Sequence, residues 1–206
     1  MSTAADAATS TAWYIKRMRL LLIILLFGRL DLESATQGSA PIDWERADRA
    51  TVRLSPSAFP ELPDVVRREL EHRDCVIPQV FSNRAPHNIV RGRFTSATHQ
   101  DWAVLCSRRQ VSSILVFRSG SVASVLELAR QPDRNYLQNV GPGGVIGFSR
   151  ALGVADPKFI REHHEWYGGP EPPPLDHDGI NDMFVGKASV VWYRHAGRWL
   201  QLTGAD

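Results

Sequence analysis

Lysine and cysteine are the scarce residues of this 206-residue chain: three Lys against 21 Arg, and two Cys in all. Two cysteines with no C-x-x-C spacing do not make a zinc site. Excess charge of one sign is also lacking. A formal net charge of +2 leaves no overall field to draw in a polyanion, so a nucleic-acid partner is not expected. The arginine bias reads as base composition rather than a phosphate-binding design. No apolar run approaches the roughly 20 residues of a membrane-spanning helix. The length excludes a TIM barrel and a full propeller, which need about 250 residues or more. What is present is ordinary for a folded domain, with 43% apolar and 22% charged residues and so neither general disorder nor a coiled coil.

The longest apolar run is Leu20–Gly28, nine residues directly after Lys16, Arg17 and Arg19 and closed by Arg29 and Asp31. A basic cluster followed by a short apolar stretch is the pattern of a secretory signal peptide. Small residues from Ser34 to Ala40 offer cleavage after Ala35 or Gly38, and either Met1 or Met18 serves as start. Residues 1–35 are therefore expected to be a signal peptide, with a periodic-free flexible arm over 36–62 and one domain over 63–206. No Cys follows the apolar run, so the membrane is expected to be met only through the export signal. In a periplasmic or secreted protein the even pair Cys75 and Cys106, 31 positions apart, reads first as a disulfide.

Within the domain, Val65, Val66 and Leu70 stand at helical spacing in "PELPDVVRRELEHRD" and predict a short amphipathic helix. The runs "HNIVRGRF", "DWAVLCS", "SSILVFR" and "ASVLELA" predict consecutive strands, and "ASVVWYRHAGRWLQLTG" a hairpin turning at His195-Ala196-Gly197. Between them, "NVGPGGVIGFSRALG" reads as irregular, with Gly147 and Ser149 capping a short helix. A second helix begins at Asp156-Pro157 and stops at Gly168-Gly169, and Pro172–Pro174 predict a loop over the whole of "PEPPPLDHDGIND". Strands in series beside short helices predict an α+β fold: a single antiparallel β-sheet with short helices packed on it.

Three groups of residues bear on function. Gly92, Phe94, Asp101, Ala103 and Val104 fall, without insertion, on the positions of an FG-GAP (integrin-α-like, VCBS-like) repeat, which the segment Gly92–Leu105 resembles. The exported region resembles uncharacterised bacterial secreted proteins carrying one such degenerate motif, a likeness that implies no activity. The repeat's calcium positions hold Arg93, Thr95 and Ala97 here, so Asp101 is expected to order a turn instead. Asp176, Asp178 and Asp182 keep the repeat's D-x-D-G-x-x-D spacing; the resemblance implies calcium as the one cofactor to consider, against a solvated loop of Asx-turns. Gly147-Phe148-Ser149-Arg150-Ala151 is close to a nucleophile elbow with Asp176 or Asp178 and His195 downstream, although an elbow needs a parallel strand before it. His163-His164-Glu165 stops short of the zincin motif, since residue 168 is Gly.

The resulting expectation is an exported, non-catalytic binding module for a protein or small ligand. Its candidate site is formed by His163, His164, Asp176, His177, Asp178 and Asp182. Trp192 and Tyr193 must face opposite sides of one strand, which leaves one of them free for a ligand surface. The alternatives are a small secreted hydrolase, using Ser149 or a metal on His164, His177 and Asp178, and an inhibitor or immunity-type protein presenting the proline loop.

Overall fold

A computed structural model describes residues 42–202. The expected signal segment and the first part of the arm lie outside the described residues. Among the described residues three α-helices, α1 (Trp44–Ala50), α2 (Asp64–His72) and α3 (Pro157–Tyr167), accompany twelve strands. Strands β1 (Arg53–Leu54) and β2 (Ile77–Pro78) form a small ladder. The first large sheet has the order β3 (Ile89–Gly92), β4 (Asp101–Arg108), β5 (Val111–Phe117), β6 (Val125–Pro132). Strands β7 (Leu137–Gly141) and β8 (Val145–Phe148) make a hairpin. The second large sheet runs β12 (Arg198–Leu202), β11 (Ala188–His195), β10 (Gly179–Phe184), β9 (Arg150–Ala155). Every pairing is antiparallel. The fold is α+β as expected, but there are four sheets where one was expected.

Side-chain alternation explains the correction. Period 2 sends Ala103, Leu105, Ile114 and Val116 to one face of the first sheet, where they meet Leu152 and Ile180 of the second. The opposite face carries Val104, Cys106, Leu115 and Phe117, and α2 covers it with Val66 and Leu70. The second sheet repeats the plan outward: Val191, Tyr193 and Leu202 pack under Ile160 of α3. The order of layers is thus helix, sheet, sheet, helix. Burying each such aliphatic side chain is worth about 1.5–3 kcal/mol.

Local signals set the ends of these elements. Asp156 caps α3 by accepting the Phe159 N–H at 2.7 Å, Pro157 occupies the first turn, and Gly168 at φ +71° closes the helix. Ala196 and Gly197, at φ +47° and +78°, make the two-residue turn of the terminal hairpin. The segment expected as an arm differs from Ile42 onward. Asp43 caps α1, and Phe59 and Leu62 are buried beneath the first sheet with α2. The glycine-rich stretch is regular too: Gly147 lies in β8 and Ser149 links it to β9, so neither caps a helix. A Cβ on Gly147 would come within 2.6 Å of the Phe81 Cβ, and this close approach is what requires glycine there.

Cys75 and Cys106 are joined in a disulfide that ties the end of α2 to β4. Beside it Val76 and Ser107 exchange two backbone hydrogen bonds, at 3.0 and 2.8 Å.

Candidate functional site

The residues singled out in the sequence part into two groups. The first lies between the large sheets and is structural. Asp101 is fully buried; its carboxylate accepts the Thr95 N–H and hydroxyl at 2.8 Å and the Ser119 N–H at 2.9 Å, so it orders the turn after β3 and the one after β5. Asp178 reaches back to the same turn. It accepts the Arg93 N–H at 2.9 Å, and its own N–H donates to the Arg93 carbonyl at 3.0 Å. The Gly92–Asp101 and Asp176–Asp182 segments therefore meet at Arg93 and Asp178 and join β3 to β10.

Asp182 turns inward to Arg150, whose side chain is wholly inaccessible. Arg150 Nε and Nη2 each donate to the carboxylate at 2.8 Å. Nη1 donates to the Ser112 hydroxyl at 3.0 Å and carbonyl at 3.3 Å, and Nη2 to the Ala129 carbonyl at 2.8 Å. All five N–H groups are thereby used. The Tyr136 ring covers the guanidinium at 4.6 Å. Burial pushes the Arg150 pKa down, but the hydrogen bond and charge of Asp182 outweigh it and the net shift is upward. The Ala129 carbonyl comes from a bulge where β5 and β6 lose register, with Ala129 at φ +51°. Asn88, at φ +73°, completes the join between sheets: its amide donates to the Pro78 and Arg150 carbonyls and accepts from the Leu152 N–H. Nothing in the apolar pattern marked Arg150 or Asn88 as buried connectors, and both were missed.

The second group surrounds the outer end of α3. His163 is buried with Nε2 3.0 Å from the Ser189 hydroxyl and its ring against Phe159 and Tyr167. Burial lowers its pKa. His164 lies one position on and faces the proline loop, with Nε2 3.2 Å from a Glu171 carboxylate oxygen. The far side of the loop is pinned by Tyr193, whose hydroxyl donates to the Pro174 carbonyl at 3.2 Å and accepts the Asp176 N–H at 3.2 Å. Burial raises the Tyr193 pKa. His177 stacks on the Tyr193 ring with centroids 4.4 Å apart. A concavity of about 280 Å³ remains between α3 and the loop, lined by Arg161, His164, Glu165, Glu171, Pro172 and Leu175. In the last turn of α3, on a different side of the helix from this concavity, Trp166 is 72% exposed, and Tyr167 beside it is 50% exposed.

The three aspartates expected as a metal set are thus sent to three different partners: Asp176 to Tyr193, Asp178 to Arg93, Asp182 to Arg150. Among the described residues no group of three or more His, Cys, Asp and Glu side chains is placed to hold one ion. Nor does a triad assemble. Ser149 is fully buried with its hydroxyl on the Gly147 carbonyl at 3.3 Å. Its neighbour Arg150 is level with Phe184 and Ala188, whereas His195 lies seven residues further along β11. That is about 23 Å at the rise of an extended strand. Trp192 and Tyr193 do face opposite sides, but both sides are covered: Trp192 packs between the sheets and Tyr193 beneath α3. Among the described aromatic side chains Trp166 is the most exposed, at 72%, ahead of Tyr167, Phe81 and Trp44.

No protein-family model, curated protein or solved structure matches this chain.

Proposed function

We propose that the protein is an exported, non-catalytic binding module that offers the end of α3 and the proline loop to a partner protein. Trp166 carries this reading. A tryptophan 72% exposed leaves a large apolar surface in water, and such aromatics are the usual anchors of protein interfaces. It stands in the last turn of the helix from which the proline loop departs, and that loop is engaged by Glu171–His164 at one side and Pro174–Tyr193 at the other. A pre-shaped loop loses little conformational freedom on binding, which favours affinity. Export is supported by the basic cluster and apolar run of the leader, and by the Cys75–Cys106 disulfide, a bond that persists in oxidising compartments. No helix among the described residues is long and apolar enough to cross a membrane. The non-catalytic part of the reading is supported by the separation of Ser149 from His195.

A photo-reactive amino acid placed at Trp166 should trap a discrete partner polypeptide in the cell envelope, while the same group at exposed Val145 should not. Equal trapping at both positions, or none at 166, would sink the interface. Esterase or peptidase turnover abolished by Ser149→Ala would overturn the non-catalytic assignment.

A further inference from the structure

A second concavity, of about 460 Å³, opens where α2 ends against the outer face of the first sheet. Arg73, Arg108, Arg109 and Arg130 line it together with Asp74 and Ser113. Four arginines from three chain segments line one hollow, and gathering like charges is unfavourable unless something answers them. Part of the answer is internal. Arg73 Nε is 2.6 Å from Glu69, and Arg108 Nη2 is 3.7 Å from Glu127, which the Ser113 hydroxyl also engages at 2.6 Å. Asp74 is the remaining carboxylate on the wall. Arg109 and Arg130 have no carboxylate partner among the described residues.

The backbone holds this arrangement at a cost. Arg109 and Gln110 form the two-residue turn between β4 and β5 with φ of +51° and +61°, and Asp74 lies at φ +55°. A turn of this kind ordinarily takes Asn-Gly. Non-glycine residues in the left-handed region concentrate at ligand clamps and other functional sites. The two walls are also bound covalently, since Arg73 and Asp74 immediately precede Cys75, and Arg108 follows Cys106 by two positions. The Val76–Ser107 backbone pair fixes their register.

We propose that this cleft binds a small multivalent oxyanion. Guanidinium forks match the paired oxygens of phosphate and carboxylate groups, and several of them together favour a ligand with more than one such group. The volume suits a compact molecule rather than a polymer. The inference is independent of the α3 interface.

The test is calorimetric titration of the oxidised protein with pyrophosphate and, separately, with citrate, at constant ionic strength. Saturable one-site binding of either is expected, and the tighter of the two identifies the phosphate or the carboxylate class. The double variant Arg109→Gln/Arg130→Gln should weaken it about tenfold or more, whereas Arg118→Gln, an exposed arginine at the opposite end of β5, should leave it unchanged. Circular dichroism of each variant shows that the fold is intact. Failure of both probes to saturate, an equal loss in Arg118→Gln, or binding to anionic lipid vesicles with none to either small anion would overturn the proposal.

Discussion

Arg150 shows how a charge is kept inside a small β-rich protein. Removing a guanidinium from water is unfavourable, and a bidentate carboxylate with three further acceptors offsets that loss only while every partner is present. Arg150→Ala would leave Asp182 buried and unpaired, and should destabilise the protein by about 3–5 kcal/mol. The paired change Arg150→Met/Asp182→Leu removes both charges and should cost much less; denaturant unfolding of the three proteins measures the difference. His163 gives a prediction of a different kind. Its folded-state pKa lies below its unfolded value, so the unfolded chain binds the proton more readily. Stability should therefore be full above the unfolded value of about 6.5 and fall as pH drops through it. His163→Gln should flatten the part of that slope due to this ring, as measured by melting temperature between pH 7.5 and 5.

At the scale of elements, the chain relies on covalent and polar ties between pieces that are distant in sequence. The disulfide closes a separation of 31 residues, and chain entropy alone puts its contribution at about 3–4 kcal/mol. Reduction should lower the melting temperature accordingly, and thiol labelling without reductant should give no mass shift; full labelling of the native protein would remove the bond. The segment α1–β1 is tied down by Arg53, which donates to Asp48 and, at 2.7 Å, to buried Asp133. Asp133 also accepts the Ser107 hydroxyl at 2.6 Å. Arg53→Met deprives two buried carboxylates of their cation. It should raise amide exchange over residues 43–54 well before the β4–β5 core opens, an order that hydrogen exchange resolves. Uniform exchange along the chain would show instead that α1 is integral to global folding.

At the scale of the molecule, two antiparallel sheets are packed face to face, each covered outside by one helix, and the two proposed binding surfaces lie at the margins of this stack. The α3 end and the arginine cleft are on different layers: one against the second sheet, the other against the first. Both depend on helix ends held to a sheet rather than on the inter-sheet core. The helices α2 and α3, the terminal hairpin and strands β3 to β6 were legible because each is written in local terms, by capping Asp156, helix-stopping Gly168, and apolar runs between turn residues. Strands β7 to β10 were not, because the glycine-rich stretch reads as irregular and the segment through Asp182 as loop, whereas Gly179–Phe184 is a strand held between β9 and β11. The number of sheets was not legible either. Strand β5 has no period-2 alternation in Ile114–Phe117, a sign of burial on both faces. That signal calls for a layer on each side without saying whether a helix or a second sheet supplies it. Likewise the spacing of Asp176, Asp178 and Asp182 was visible, but not that arginines at 93 and 150 occupy two of them.

What the sequence by itself determined was local: where turns and helix ends fall, that the two cysteines suit one bridge, and that one greasy segment follows a basic cluster. These depend on neighbours within a few positions, whose sterics and hydrogen bonds are fixed by residue type. Only the tertiary structure decided that the strands divide among four sheets, that Arg150 links the two large ones, that Ser149 is sealed away from His195, and that Trp166 stays in water. Such outcomes depend on which distant surfaces meet, and a buried charge or an exposed ring is defined by what covers it.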